Sequence, residues 1–221
     1  MFACNGLIRR LVSESDYENY YVICKKKNFK TIETMYSDED KISVVPIEDN
    51  ADDEMREVAK QFLHIKGNII RIGHENLDQH RNFDESFYEQ LGYNIQDKFD
   101  WSKISRNKSI ENECYNSEVS NEDYIFVHDI SSVGEFNLKI ETEYDIFKPG
   151  QQNASEKYPW CVVDYLKVIE NAKEIHCIDS SFLHMIDLIE TKSPCFFHKI
   201  KNSQFPCLSE KWKVVNYNEN C

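Results

Sequence analysis

The sequence contains no long apolar run. None of its hydrophobic stretches approaches the roughly 20 residues that a membrane-spanning helix needs, although 41% of the 221 residues are hydrophobic. No charged leader followed by an apolar segment opens the chain, so a secretory signal peptide is not expected. These absences predict a soluble protein without a transmembrane segment, and we expect it in the cytoplasm.

Basic residues are scarce relative to acidic ones. Lysine and arginine number 26 against 39 aspartates and glutamates, which gives a formal net charge of −13. Proteins that bind duplex nucleic acid depend on basic side chains that neutralise phosphates, so the charge argues against a nucleic-acid partner. It still allows a small anionic ligand, because helix N-termini and a few local cations hold such ligands on an acidic protein.

Several well-known site motifs are also missing. The absence of G-x-x-x-x-G-K-[ST] and G-x-G-x-x-G removes the main support for P-loop and dinucleotide-fingerprint sites, and no G-x-S-x-G elbow indicates a hydrolase. The eight cysteines form no C-x-x-C pair and show no zinc-finger spacing. Several of them lie within apolar runs, as Cys24 and Cys177 do, which favours buried free thiols. We expect neither a metal site nor a cofactor.

Short apolar runs alternate with helical patterns along the chain. Apolar residues at helical spacing, or acidic first turns, predict helices at 6–16, 29–36, 52–62, 83–92, 109–116, 158–172 and 180–190. Apolar runs predict strands at 20–24, 42–47, 68–72, 124–127, 137–140, 144–147, 174–178, 195–198 and 212–215. Pro46 predicts the end of pairing in the second strand. The alternation is typical of an α/β protein with parallel sheets flanked by helices.

The length suits two small Rossmann-like lobes or one larger α/β domain. Residues 78–121 are polar and poor in strand signals, which fits a connection between lobes or a helical insertion. We predict an N-terminal lobe over 1–118 and a C-terminal lobe over 119–221. A flavodoxin-like domain with all strands in one sheet is the alternative that the alternation leaves open.

The segment from Tyr165 to His184 carries the strongest chemical signal. A helix and a buried strand lead into Asp179, Ser180 and Ser181, which open the next helix. In open α/β sheets, ligands bind at the carboxyl ends of strands, where free N–H groups of the following helix hold phosphates. Serine before a helix is also a common cap, so an ordinary helix start is the alternative interpretation.

Three blocks of the sequence resemble GT-B glycosyltransferases. Residues 164–184, D-Y-L-K-V-I-E-N-A-K-E-I-H-C-I-D-S-S-F-L-H, look like the C-terminal lobe of bacterial and viral GT-B proteins. They are more distantly similar to the D-S-G-x-x-H element of the heptosyltransferase family, which binds the diphosphate of the sugar donor. Ser181 stands where that family has its glycine. Residues 4–9 and 124–129 resemble further segments of the same proteins.

The resemblance implies a metal-independent transfer of a sugar from a nucleotide-sugar donor to a carbohydrate acceptor. The segment near the start implies substrate contacts for Asn5 and Gly6, and the later segment implies them for Asp179, Ser180, Ser181 and His184. Two cations, Arg9 and Lys199, are candidates to help the helix that begins near Ser180 to neutralise the departing diphosphate.

The general base that the related proteins use has no counterpart at its usual place in this sequence. In the related proteins an acidic residue follows a first strand in a Gly-Asp pair, and Met1 stands just after the place of that pair. We therefore expect an N-terminal lobe without its first strand, either through a truncated reading frame or in a reduced form that only binds its ligand. Asp129 or His128, at a strand end, is the substitute base; a solvated turn is the plainer interpretation of both.

Overall fold

The described strands form two parallel sheets and a short hairpin. The computed structural model describes residues 2–49, 57–58, 60–61, 68–70, 72, 82–131, 134–150, 159–200 and 205–217. A 3₁₀ turn at Phe2–Cys4 precedes α1 (Asn5–Glu14), β1 (Tyr20–Lys25), a second turn at Lys26–Asn28, α2 (Phe29–Met35) and β2 (Ile42–Ile47). Residues 57–58 and 60–61 are helical, and the described range 82–131 then contains α3 (Phe83–Glu89), α4 (Asp97–Asp100) and α5 (Lys108–Glu118).

The second half begins with β3 (Tyr124–His128), the hairpin strands β4 (Ile130–Ser131) and β5 (Gly134–Glu135), and β6 (Asp145–Phe147). It continues with a 3₁₀ turn at Val162–Tyr165, α6 (Leu166–Asn171), β7 (Ile175–Cys177), α7 (Ser181–Asp187), β8 (Cys195–Lys199) and β9 (Trp212–Asn216). None of the described helices is long and apolar enough to cross a membrane.

The larger sheet is built from the second half of the chain. Its five strands run in the order β6-β3-β7-β8-β9, and every neighbouring pair is parallel. All five strands therefore end at one edge, where His128 of β3 pairs in register with Cys177 of β7. Strands β1 and β2 form a separate parallel sheet. The chain thus has the parallel α/β architecture that the sequence predicts, and its described strands do not form the single sheet of the flavodoxin-like alternative.

One hydrophobic cluster joins the two halves. Phe126 of β3 and Phe182 of α7 are fully buried within it, together with Ile32 and Met35 of α2. Direct hydrogen bonds cross the same boundary: Val162 N donates to Thr31 Oγ1 at 3.3 Å. The two halves thus share apolar packing, and the division at 118/119 stays a prediction.

Gly6 allows the close crossing of α1 and α4. A Cβ atom placed on Gly6 would lie 2.3 Å from the carbonyl oxygen of Asp97, and that oxygen belongs to the backbone. The absence of a side chain at this position therefore lets the two helices approach each other.

Some predicted elements differ in the structure. The strand predicted at 137–140 is irregular, and the amide of Lys139 donates to the Tyr217 hydroxyl at 3.1 Å instead of to a neighbouring strand. Pairing of β2 continues past Pro46, because a strand with one partner tolerates a residue that cannot donate. The predicted helices at 158–172 and 180–190 are shorter, as the α6 and α7 bounds show.

The strand predicted at 68–72 is wrong for the described residues 68–70 and 72, which form no strand. Ile69 and Ile70 are 61% and 53% exposed, so this apolar run does not enter a core there. Most of the helix predicted at 52–62 lies outside the described residues.

Candidate functional site

His128 and Ser180 meet at the carboxyl edge of the five-stranded sheet. His128 ends β3, and Ser180 lies between β7 and α7. The His128 Nδ1 atom lies 3.0 Å from Ser180 Oγ, and the imidazole packs on the Phe182 ring with 4.6 Å between ring centroids. The amide of Ile178 donates to the His128 carbonyl at 3.1 Å, which holds the two strand ends together.

Burial keeps the His128 side chain neutral. The residue is 9% exposed, and burial lowers the pKa of His128 to about 4, against the opposing effect of the neighbouring Asp129 carboxylate. A neutral imidazole has one donor and one acceptor nitrogen, so its tautomer decides whether Ser180 donates or accepts in the shared hydrogen bond. Ser180 Oγ also accepts from the amide of Leu183 at 3.4 Å and so caps α7.

Asp129 is buried against a lysine that sequence reasoning missed. Only 3% of Asp129 is exposed, and its Oδ2 atom lies 2.5 Å from Lys148 Nζ, which is 3.5 Å from Glu135 Oε1. Hydrogen bonding to Asp129 raises the pKa of Lys148. Lys148 directly follows the predicted strand 144–147, and strand ends of a parallel sheet share an edge, so this neighbour was recognisable from the sequence.

Asp179 and His184 form a second pair at the beginning of α7. His184 Nε2 lies 3.2 Å from Asp179 Oδ1, and the Asp179 side chain is 41% exposed. The Phe83 ring stands edge-on to the imidazole at 5.5 Å between centroids. His184 Nδ1 is buried and has no hydrogen-bond partner among the described residues. Ser181, the first residue of α7, is partly exposed beside this pair.

Lys199 ends β8 at the same edge of the sheet. Its Nζ atom lies 4.5 Å above the centre of the Phe205 ring, in the geometry of a cation–π contact. The described charges around the strand ends are thus mixed. Three carboxylates, those of Asp129, Glu135 and Asp179, accompany the ammonium groups of Lys148 and Lys199.

The predicted residues of α1 make structural contacts elsewhere. Asn5 is fully buried, and its Oδ1 atom accepts from the amide of Lys103 at 2.8 Å. Gly6 lies against α4, as described above. The Arg9 guanidinium donates to the carbonyl oxygens of Lys103 at 2.9 Å and Met35 at 3.0 Å, and pairs with Asp38 at 2.7 Å.

The structure therefore brings four predicted residues into two contacting pairs at one edge, and ties the α1 residues to other partners. The first pair is His128 and Ser180, and the second is Asp179 and His184. Asp129 follows His128 in the chain and pairs with Lys148. Within the described residues, no three His, Cys, Asp or Glu side chains are arranged to hold a metal ion.

The same architecture occurs in a solved glycosyltransferase. The chain is similar to the crystal structure of the glycosyl transferase family 9 from Veillonella parvula DSM 2008, with a TM-score of 0.58 over 97% of this chain and 83% of that chain. The fold is GT-B-like. Sequence identity is 10%, so the likeness concerns the fold. No protein-family model and no curated protein matches the sequence.

The GT-B-like fold makes the carboxyl edge of the five-stranded sheet the candidate binding surface. In open α/β folds, ligands bind beyond the carboxyl ends of parallel strands, and His128, Asp129 and Ser180 lie there. Phe182 was missed as a part of the site, because an apolar residue in the first turn of a helix reads as core from sequence alone. Its ring is fully buried and packs against the imidazole of His128, which fixes the position of that imidazole.

Proposed function

We propose that this chain is a glycosyltransferase-like protein that binds a nucleotide-sugar at the carboxyl edge of the five-stranded sheet and transfers the sugar to a carbohydrate acceptor without a metal ion. The observation that carries the proposal is the 3.0 Å contact between His128 Nδ1 and Ser180 Oγ, which joins two strand ends where a GT-B-like fold binds its donor. The three-block resemblance of the sequence and the fold likeness support it from separate directions.

Each side chain has a role in this proposal. The Ser180 and Ser181 hydroxyls contact the diphosphate of the donor, and the partly exposed Asp179 accepts hydrogen bonds from sugar hydroxyls while His184 orients it. Lys199, at the end of β8, contributes a positive charge to the departing diphosphate. The α1 helix belongs to the acceptor side in this proposal. Its residues Asn5, Gly6 and Arg9 hold their own segment in place through structural contacts.

Asp129 is the proposed general base, and it starts in an ion pair. A carboxylate that removes a proton from an acceptor hydroxyl must be within hydrogen-bond reach of it, whereas Asp129 Oδ2 is bound to Lys148 at 2.5 Å. In this proposal Lys148 moves towards the donor phosphates as the substrates bind, which frees Oδ2 of Asp129. His128 is the other candidate base; burial lowers its pKa to about 4, and its Nδ1 atom is already engaged with Ser180 Oγ at 3.0 Å.

The ion pair between Asp129 and Lys148 also favours a second function, that of a binding protein without transferase activity. In this alternative the Asp129–Lys148 pair stays closed and no base becomes available. The donor then binds at the strand ends and is neither transferred nor hydrolysed.

Calorimetric titration with UDP, GDP, ADP and CDP tests the binding step. We expect one nucleoside diphosphate to bind the wild type, and the double variant Ser180→Ala/Ser181→Ala to lose at least tenfold in affinity. Ser13→Ala, an exposed serine of α1, is the matched control and keeps the affinity. Absence of binding to all four nucleotides would overturn the proposal.

Donor turnover separates the two functions. Release of the nucleoside diphosphate from the matching nucleotide-sugar, with loss of release in Asp129→Asn, supports the transferase. Tight binding with no release in the presence of carbohydrate acceptors supports the binding protein.

A further inference from the structure

A hydrogen-bonded chain of four side chains crosses the sheet away from the candidate site. Glu174 Oε2 lies 3.0 Å from His176 Nε2, and His176 Nδ1 lies 2.9 Å from His198 Nε2. His198 Nδ1 in turn lies 2.8 Å from the Tyr217 hydroxyl. The two imidazoles are 5% and 2% exposed. The chain links β7, β8 and the residue that follows β9.

When both imidazoles are neutral, the groups at the two ends of this hydrogen-bonded chain determine which atom donates at each contact. An ionised carboxylate only accepts, so His176 donates from Nε2 to Glu174 and accepts at Nδ1. His198 must then donate from Nε2 to His176 and accept at Nδ1 from the Tyr217 hydroxyl. The Tyr217 oxygen accepts from the amide of Lys139 at 3.1 Å. Every polar group of the chain is satisfied in this arrangement.

One added proton changes the far end of the chain. An imidazolium donates from both nitrogens, so a proton taken up at His198 Nδ1 turns that atom into a donor towards Tyr217. The proton can also pass to His176 through the 2.9 Å contact, and His198 then donates from Nδ1 to Tyr217 all the same. In both cases the Tyr217 oxygen becomes the acceptor, and its own hydrogen is released to point elsewhere.

A second proton is excluded by the geometry. The contact between His176 Nδ1 and His198 Nε2 needs one lone pair, and two imidazolium rings would direct two N–H groups at each other across 2.9 Å. Two buried like charges at this distance also repel each other strongly. The pair therefore has room for a single proton.

We propose that His176 and His198 form a single-proton switch, in which the uptake of one proton by the pair converts the Tyr217 hydroxyl from a hydrogen-bond donor into an acceptor. The Tyr217 hydroxyl also accepts from the amide of Lys139 at 3.1 Å. The switch thus delivers its effect to the contact between Tyr217 and the segment that contains Lys139, and it does not depend on what the candidate site binds.

The surrounding charges set the acidity at which the switch operates. The described charged and titratable groups that contact the pair are Glu174 and Tyr217. Lys213 lies farther out, with its Nζ 5.5 Å above the Phe196 ring that stacks on His176. Burial lowers the pKa of both histidines, and that of His198 falls to about 4, further depressed by His176. Glu174 opposes this for His176. On the other side of β7, Asp129 and Lys148 are paired with each other.

Nuclear magnetic resonance of the ¹⁵N-histidine-labelled full chain tests the switch. At pH 7.5 we expect both rings as Nε2–H tautomers. On acidification we expect the pair to bind one proton, shared between the two rings, while circular dichroism shows an intact fold. A neutral Nδ1–H tautomer at either ring, uptake of two protons by the folded pair, or unfolding before any uptake would each overturn the proposal.

Two variants sharpen the test. Glu174→Gln keeps an acceptor for His176 but removes the negative charge, so the midpoint of proton uptake falls by about one pH unit. Tyr217→Phe removes the oxygen that accepts from the protonated pair. The midpoint of proton uptake is therefore lower than in the wild type in this variant too, because hydrogen bonds to charged groups are stronger than those to neutral ones. Glu113→Gln, an exposed carboxylate of α5, leaves the midpoint unchanged. An unchanged midpoint in Tyr217→Phe contradicts the switch.

Discussion

The Lys98 ammonium lies 2.9 Å from the Asp187 carboxylate, and neither side chain is exposed to solvent. Asp84, equally buried, lies 3.0 Å from the same Nζ atom. Burial alone would lower the pKa of Lys98, but the two aspartates raise it. This cluster connects α4 and α3 with the end of α7, the helix that begins at Ser180. It therefore anchors the candidate site from the far end of that helix.

Replacement of Lys98 by methionine leaves two carboxylates buried without their cation. Removal of one partner from a buried ion pair costs about 3–5 kcal/mol, so we expect Lys98→Met to lower the free energy of unfolding by that amount in urea titrations. Lys103→Met is the control, because Lys103 is 68% exposed in its pair with Asp38 and exposed pairs contribute up to about 1 kcal/mol. Equal effects of the two variants would refute the structural role of the cluster.

Gly6→Ala tests the close crossing of α1 and α4. The new methyl group would lie 2.3 Å from the Asp97 carbonyl oxygen, so the helices must move apart, and overpacking of this kind costs about 1–3 kcal/mol. We expect a correspondingly lower thermal midpoint. Ser13→Ala, on an exposed position of the same helix, changes it little. A Gly6→Ala protein as stable as the wild type would show that the helices have room to separate.

Arg9→Lys distinguishes a structural from a ligand-binding role for Arg9. A lysine cannot reproduce the donors that Arg9 directs to the Lys103 and Met35 carbonyls and to Asp38. We expect the free energy of unfolding to fall by about 1–3 kcal/mol, measured by urea titration. Nucleotide affinity, measured by calorimetry below the unfolding transition, stays within twofold of the wild type. A large loss of affinity with unchanged stability would instead place Arg9 at the ligand.

The sequence predicts the α/β alternation well because each element repeats its apolar pattern over several residues. Strands such as β3 and β8 are short apolar runs, and α1 presents one apolar face, so local spacing suffices. Residues 137–140 show a similar pattern, yet no strand forms there, because Tyr217 binds an amide that a neighbouring strand would otherwise bind. That contact joins residues 78 positions apart in the chain, and spacing alone does not reveal it.

Side-chain partners were predictable from the sequence only where both residues follow strands that end at the same edge of a sheet. The neighbourhood of His128 and Ser180 follows from two strand ends at one edge of a parallel sheet. The partners of Arg9 do not follow from any local pattern, since the guanidinium reaches the end of α2 and the segment after α4. The same holds for Lys98, whose two aspartates lie 14 and 89 positions away in the sequence and meet only in the folded chain.

The protonation of His128 predicts a loss of stability in mild acid. Its pKa is about 4 in the folded chain and about 6.5 when unfolded, so between these values the unfolded chain binds the proton and the folded chain does not. The free energy of unfolding therefore falls as the pH decreases through this window, by about 1.4 kcal/mol per pH unit for this group. His128→Gln removes the titrating group and keeps a polar partner for Ser180, so the variant loses less stability between pH 6.5 and 4 than the wild type. Urea titrations at half-unit pH steps measure the difference, and parallel curves would mean that the imidazole accepts a proton in the folded chain as readily as in the unfolded one.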